Sequence, residues 1–228
     1  MTPSDLFRLY PLFGALTESE VRELLKCVSI KRVSAGEVVF HKDGPGDGLY
    51  GVLRGRVFIV VESVEGKELI LNTHGPGEFF GEIALLDGKG RSAGAVTHEA
   101  SELLFLGRAS FLAFLSQRPE ATIRIIALLC SRLRRSTMLV ADCAFLNVST
   151  RLAKQLMALV DGYKSRDQAV SAPTLRISQA ELARMLGVSR EFVNKQLLIW
   201  HAAGVVELGR RRLTVRDERS LEQLIAGG

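Results

Sequence analysis

The feature that most restricts the fold is a long stretch without helix breakers in the middle of the chain. From Glu120 to Leu146 there is no glycine or proline. Apolar or small residues recur there every three or four positions, which predicts an α-helix with one continuous stripe. The stripe consists of Ile123, Ile126, Cys130, Leu133, Thr137, Val140 and Ala144. Its heptad-like spacing favours a helix that pairs with the same helix of a second copy of the chain. A helix packed only on its own domain is the alternative.

The sequence before this helix has the residue pattern of an all-β domain. Short β-branched runs at 38–40, 57–61 and 68–73 alternate with glycine-bearing turns. Many short strands between close turns are typical of a sandwich or roll. Strands do not alternate with helices, which disfavours a doubly wound parallel sheet. A capping box of Thr17 and Glu20 predicts a helix before the first strand.

The end of the chain predicts a helix-turn-helix. A helix at 148–160 and a polar, turn-like stretch at 161–173 precede it. Ser178 and Glu181 then form a second capping box, and Gly187 supplies a left-handed stop. Ser189 caps the next helix. Two short helices joined by a tight glycine-bearing turn define this motif.

The second helix of the motif carries side chains that suit DNA. Val193, Leu197 and Trp200 form its predicted buried face. Arginine or lysine suits guanine, and a carboxylate accepts from cytosine, so Glu191 indicates base reading. The basic turn at 210–212 belongs to a predicted hairpin, or wing, that would contact the DNA backbone. The predicted DNA-binding residues are Ser178, Gln179, Ser189, Arg190, Glu191, Asn194, Lys195, Arg210 and Arg211. A helical domain that makes only protein contacts is the alternative.

The charge distribution agrees with nucleic-acid binding. The net charge is +5, and arginines cluster around 132–135, 184–195 and 210–212. Such clustering is expected of phosphate contact, although a solvated basic face would look similar.

Other compositional signals concern compartment and redox chemistry. The three cysteines are odd in number and form no C-x-x-C pair, so they are interpreted as core or seam residues. The N-terminus lacks the apolar run of a signal peptide, and no stretch reaches the ~20 apolar residues of a membrane span. The protein is expected in the cytoplasm, without a membrane partner.

A second constellation, between residues 75 and 96, predicts a ligand site. Glu82 is flanked by glycine and follows a strand, and Arg91, Ser92 and Ala93 come nine residues later. Glycine lets a backbone approach a ligand closely, and arginine can grip an anionic oxygen as a planar fork. A carboxylate can accept from a sugar hydroxyl. Together these residues suit a phosphosugar, although Glu82 and Arg91 could instead pair with each other on the surface.

These motifs resemble, along the whole chain, the cyclic AMP receptor protein and fumarate–nitrate reduction regulator (CRP/FNR) family of bacterial transcription factors. The matching segments are A-G-E-V-V-F at 35–40, D-G-L-Y-G-V-L-R-G-R-V at 47–57, F-G-E-I-A-L-L at 80–86, R-S-A at 91–93, A-F-L-N-V at 144–148 and S-R-E-F-V-N-K at 189–195. The F-G-E and R-S-A segments resemble the phosphate-binding cassette of the branch that binds cyclic nucleotides.

The resemblance implies a role for each cassette residue. Glu82 would bind the ribose 2′-hydroxyl, and Arg91 with Ser92 would bind the cyclic phosphate. Ser136 and Thr137 on the long helix would meet the purine. The full set of implied ligand-binding residues is Asn72, Gly81, Glu82, Ile83, Arg91, Ser92, Ala93, Ser136 and Thr137.

Departures from the family pattern leave the purine open. Asn72 replaces a small hydroxyl residue, and the cassette loop is one residue shorter than in the best-known member. Ser92 could help to select guanine, so cyclic GMP competes with cyclic AMP as the effector. Sister branches bind an iron–sulfur cluster or haem. Only Cys27 lies near the N-terminus, and the histidines at 41, 74, 98 and 201 are scattered, so no metal is expected.

The predicted fold class is α+β: an N-terminal jelly-roll-like β-roll that binds cyclic nucleotides (1–118), a dimerisation helix (119–147) and a winged helix-turn-helix (148–228). The predicted function is a cyclic-nucleotide-responsive transcription regulator that is not an enzyme. The sequence leaves open whether it acts as an activator or a repressor. The regulator would bind palindromic double-stranded DNA as a homodimer and contact RNA polymerase. Two alternatives remain: a ligand-independent regulator with a vestigial pocket, and an enzyme acting on a cyclic nucleotide.

Overall fold

The computed structural model describes residues 1–14, 16–164 and 173–227. They divide into two compact units, the N-terminal unit Met1–Leu133 and the C-terminal unit Arg134–Gly228. The N-terminal unit contains α1 (Pro3–Leu9), α2 (Glu18–Lys26), β1 (Val28–Val33), β2 (Val38–Phe40), β3 (Gly48–Arg54), β4 (Val57–Glu62), β5 (Glu68–His74), β6 (Phe79–Phe80), α3 (Glu82–Asp87), β7 (Gly94–Thr97), β8 (Ser101–Gly107) and α4 (Arg108–Ser116). The long helix α5 (Pro119–Phe145) begins in this unit.

The strands of the N-terminal unit form the predicted β-roll. In the described residues they make two antiparallel sheets, with strand orders β1-β8-β3-β6 and β2-β7-β4-β5. The β-branched runs of the sequence became β2, β4 and β5. Strand β3 is buried from Gly48 to Leu53, because side chains from both of its faces are covered. The fold class of a β-domain, a long helix and a C-terminal helix-turn-helix is confirmed.

A cluster of aromatic rings joins the N-terminal helices to the β-roll. It contains Phe7, Tyr10, Phe13, Phe79, Phe111 and Phe114. The capping box of Thr17 and Glu20 begins α2 as predicted. Cys27 was wrongly predicted to lie in the core or the seam. It is the exposed C-cap residue of α2, where the chain leaves the helix to enter β1 at Val28.

Helix α5 has two apolar faces, of which the sequence identified one. The inner face packs on the N-terminal unit through buried Ala121 and Ile125 and through half-buried Leu128 and Leu129. The predicted heptad-like stripe is the other face, and all seven of its residues are exposed. Packing on its own domain therefore uses residues other than the stripe.

The C-terminal unit is built around a small helical core. It contains α6 (Val148–Lys164), β9 (Thr174–Leu175), α7 (Gln179–Leu186), α8 (Arg190–Ala202), β10 (Val206–Gly209), β11 (Arg212–Val215) and α9 (Glu218–Ala226). Its sheet has the order β10-β11-β9. Helix α6 runs four residues further than predicted, and residues 165–172 of the predicted polar turn lie outside the described residues. None of the helices described has the length and apolar character that a membrane span requires.

Candidate functional site

The backbone around Gly81 sets the shape of the predicted ligand cassette. Strand β6 ends at Phe80, and α3 begins at Glu82. Gly81 between them has φ +87°, in the left-handed region that favours glycine. A Cβ atom at Gly81 would also lie 2.6 Å from Nη1 of Arg91. The turn therefore requires glycine for its conformation and for the close approach of Arg91.

Arg91 is enclosed by the protein, with only 1% of the residue exposed. Its Nε donates to the carbonyl of Pro45 at 3.1 Å, and Nη1 donates to that of Gly81 at 2.7 Å. Nη2 donates to Asp47 Oδ1 at 2.6 Å and to the carbonyl of Gly48 at 2.9 Å. The guanidinium also lies 4.2 Å from the centre of the Phe40 ring.

These contacts occupy most of the donors of Arg91, and its predicted grip on an anion stays a prediction. A guanidinium has five N–H donors, and four of them bond Pro45, Gly81, Asp47 and Gly48. One N–H is left in this conformation, so a planar two-donor fork on a ligand would require Arg91 to exchange at least one of these partners. The alternative of a surface pair between Glu82 and Arg91 is also wrong, because Arg91 pairs with Asp47.

Glu82 is buried as well and has a different partner. It is 3% exposed, and its Oε1 accepts from Nη1 of Arg132 on α5. Nη2 of Arg132 also donates to the carbonyl of Phe79 at 3.0 Å. The clustering of arginines in the sequence predicts phosphate contact for Arg132, which is wrong, because this residue pairs with Glu82. Arg132 follows the buried Ile125 by seven residues, so it lies on the face of α5 that the structure shows packed on the N-terminal unit.

Tyr10 completes the surroundings of this ion pair. Burial raises the pKa of Tyr10 to about 12, while the charge of Arg132 acts in the opposite direction and that of Glu82 adds to the increase. The phenol is therefore neutral near pH 7 and can donate or accept a hydrogen bond. The C-cap residue of α1, the cassette and α5 thus contribute to one polar cluster.

The remaining predicted ligand residues differ in accessibility. Ser92 is exposed and Ala93 is buried, and Ile83 is exposed on α3. Asn72 lies half-buried on β5, with its Nδ2 3.2 Å from Nε2 of His74. Ser136 and Thr137 are exposed on the part of α5 that belongs to the C-terminal unit. Their assignment to a ligand stays a prediction.

The helix-turn-helix forms as its capping residues predicted. The Ser178 hydroxyl accepts from the amide of Glu181, and the Glu181 carboxylate accepts from the amide of Ser178. Gly187 ends α7 with φ +67°, and the Ser189 hydroxyl accepts from the amide of Phe192 at the start of α8. The motif is therefore specified by local backbone chemistry.

The predicted DNA-binding side chains lie on the accessible face of this motif. Arg190, Glu191, Asn194 and Lys195 are exposed on α8, while Val193, Leu197 and Trp200 are buried beneath it. Nε2 of Gln179 donates to Oδ1 of Asn194 at 3.0 Å, which ties the start of α7 to α8.

The wing is the hairpin of β10 and β11. Its two-residue turn consists of Arg210 and Arg211, both exposed, and Arg211 has φ +55°. Arg216 pairs with Glu207 at its base. The two basic side chains at the tip are thus free to face a phosphate backbone.

Comparisons with known proteins match both parts of the chain. The model of the cyclic nucleotide-binding domain matches residues 30–118, and that of the Crp-like helix-turn-helix domain matches residues 150–224. The Thermus thermophilus cyclic AMP receptor protein is 34% identical over 217 residues, which cover 95% of this chain and 97% of that protein. The chain belongs to the cyclic AMP receptor protein (CRP/FNR) family of transcription regulators.

Two further proteins extend the likeness within the CRP/FNR family. The "CRP-like cAMP-activated global transcriptional regulator" of Mycobacterium tuberculosis is 30% identical over 92% of this chain and 94% of its own. The structure of the c-di-GMP-responsive regulator CLP of Xanthomonas campestris has a TM-score of 0.72 and 28% identity, over 86% of this chain and 97% of that one. The prediction of a cyclic-nucleotide-responsive, DNA-binding transcription regulator is confirmed. Within the described residues, no group of three or more His, Cys, Asp or Glu side chains could hold a metal ion.

Proposed function

We propose that this regulator is activated by cyclic AMP and then binds palindromic operators as a homodimer. The observation that carries the effector site is the cassette, where Glu82 and Arg91 are both buried and held in place by other segments. The relatives from T. thermophilus and M. tuberculosis are named for cyclic AMP, which supports this effector over cyclic GMP.

In this proposal the cassette binds the nucleotide through a few defined groups. Glu82 accepts from the ribose hydroxyl, and the remaining N–H of Arg91 with the exposed hydroxyl of Ser92 donates to the cyclic phosphate. Backbone groups of the cassette contact the nucleotide at Gly81, Ile83 and Ala93. Asn72 borders the purine, and Ser136 and Thr137 complete the site. Since Glu82 also pairs with Arg132, a ligand that bonds Glu82 acts directly on α5.

The exposed stripe of α5 supports the homodimer. An exposed apolar stripe with heptad-like spacing is the pattern by which helices pair. Two-fold symmetry would place the two copies of α8 about one DNA turn apart, roughly 34 Å, which requires a palindromic operator. Contact with RNA polymerase, activation rather than repression, and the absence of catalysis belong to the same proposal.

The test is a calorimetric titration of the full-length protein with cyclic AMP, cyclic GMP and cyclic di-GMP. We expect cyclic AMP to bind most tightly. Glu82→Gln should weaken this binding about 5- to 10-fold, because the amide oxygen of glutamine still accepts from the ribose hydroxyl but the hydrogen bond is no longer charge-assisted. The matched control is Glu102→Gln, which also breaks a Glu–Arg pair, that with Arg32, but on the domain surface.

Each alternative has its own outcome. Equal affinity in Glu82→Gln and wild type would refute the ribose assignment, and tighter binding of cyclic GMP would reassign the effector. DNA binding that ignores every nucleotide would favour a ligand-independent regulator. Chromatography of cyclic AMP recovered from the titration tests catalysis: product formed by wild type and lost in Glu82→Gln would identify an enzyme.

A further inference from the structure

Helix α8, the second helix of the helix-turn-helix, exposes apolar side chains where charged ones are expected. Leu198 is 51% exposed and its neighbour Ile199 is 53% exposed, and both lie in the second half of the helix. The accessible face of a solvated helix normally carries polar residues. Single exposed leucines are common, so position on the helix decides whether these two have a role.

The position of Leu198 coincides with the predicted base-reading face. It follows Glu191 by seven residues, Asn194 by four and Lys195 by three, and these spacings place all four side chains on one face. Seven residues are almost two full turns, so Leu198 lies within about 20° of the direction of Glu191. It is displaced from Glu191 by about 10 Å along the helix axis.

Ile199 differs from Leu198 in direction and not in exposure. One residue further on, it is rotated by about 100° around the helix. Among Glu191, Asn194 and Lys195 it shares a face only with Lys195, which it follows by four positions. The two neighbours therefore separate the effect of facing the DNA bases from the effect of being apolar and exposed.

We propose that Leu198 reads the methyl group of a thymine in the major groove and so adds an A·T preference to the operator. Thymine is the base that presents a methyl group there, and apolar side chains recognise it by contact. The offset of about 10 Å from Glu191 corresponds to up to about three base-pair steps of ~3.4 Å. This inference rests on the proposed function, because it needs α8 to lie in the groove.

The experiment begins with a double-stranded operator selected from a random pool by full-length protein with cyclic AMP. Each thymine is then replaced by uracil, which lacks the methyl group, and the dissociation constant is measured by fluorescence anisotropy. In wild type we expect one thymine per half-site whose replacement weakens binding about fourfold, or ~0.8 kcal/mol, the value of one buried methylene-sized group.

Two variants complete the design. Leu198→Ala keeps a good helix former at an exposed position, so the fold is retained. It should bind the operator that contains thymine about fourfold more weakly than wild type does. Replacing that one thymine by uracil should then leave its dissociation constant unchanged. Ile199→Ala should respond to uracil as wild type does.

The outcomes distinguish a failure of this inference from a failure of the proposed function. Selected DNA with no uracil-sensitive thymine, or an unchanged uracil penalty in Leu198→Ala, overturns the assignment of Leu198 and leaves DNA binding intact. Leu198 would then be free to contact a protein partner. Failure to select any DNA overturns both proposals.

Discussion

Replacing Arg91 by alanine should destabilise the N-terminal unit by about 3–5 kcal/mol, even without a ligand. The substitution removes the donor from three carbonyl groups, those of Pro45, Gly48 and Gly81. A buried acceptor left without a partner costs about 1–3 kcal/mol, and water entering the vacated space favours the lower half of that range. Asp47 adds little, because its side chain is 49% exposed and regains water.

The single tryptophan lets the assay assign the loss to one unit. Trp200 lies in the core of the C-terminal unit, so its fluorescence follows the unfolding of that unit. Differential scanning calorimetry follows both units. We expect the transition of the N-terminal unit to fall by roughly 10 °C or more in Arg91→Ala, while the Trp200 transition stays in place.

The control is Arg32→Ala, which removes an arginine of the same unit from an exposed pair with Glu102. Such surface pairs contribute about 1 kcal/mol or less. If Arg91→Ala is no less stable than Arg32→Ala, the four hydrogen bonds do not support the fold and the structural role of Arg91 is refuted. If it is less stable, a loss of nucleotide affinity in Arg91→Ala cannot be assigned to phosphate contact alone.

Two further substitutions test the physical reasoning elsewhere. The amide of Thr17, the guanidinium of Arg118 and the hydroxyl of Thr17 hold the pKa of Glu20 at about 2, below its ordinary 4.5. This lowered pKa stabilises the fold fully above pH 4.5 and progressively less as the pH falls to about 2, so Glu20→Gln should flatten that part of the pH dependence of the urea midpoint. Gly81→Ala should lower the calorimetric transition by the equivalent of about 1–2 kcal/mol or more, because φ is +87° and the added Cβ would meet Arg91. Gly162→Ala is its control: in the described part of the chain, leaving aside its two neighbours and the backbone of its own helix, no heavy atom lies within 4 Å of its added Cβ. Within helix α6 it should stabilise by about 0.5–1 kcal/mol.

The parts of the fold that follow local chemistry were predictable from the sequence. The capping boxes of α2 and α7 and the stop at Gly187 depend on residues a few positions apart, so a single sequence contains all the information. The strands β2, β4 and β5 were visible for the same reason, through short β-branched runs between glycines.

The partners of the cassette residues were not predictable, because long-range pairing leaves no local signal. Asp47 lies 44 residues from Arg91, and Arg132 lies 50 residues from Glu82. The clustering of arginines even suggested a wrong role for Arg132. Only the three-dimensional position of α5, with Ile125 and Arg132 turned towards the β-roll, distinguishes an arginine that binds a carboxylate from one that faces solvent.

Those partners change how an effector can act. The two charged side chains proposed to bind the nucleotide already have partners of opposite charge. Arg91 pairs with Asp47, and Glu82 pairs with Arg132. A cyclic nucleotide therefore gains little from charge alone and must exchange partners with the protein. A ligand shifts an equilibrium only by its difference in affinity for the two states. If a ribose hydroxyl bonds Glu82 more strongly in one arrangement of Arg132, then the position of α5 and the affinity for the nucleotide are linked reciprocally. An effector that leaves the pair of Glu82 and Arg132 unchanged would have no coupling to α5 by this route.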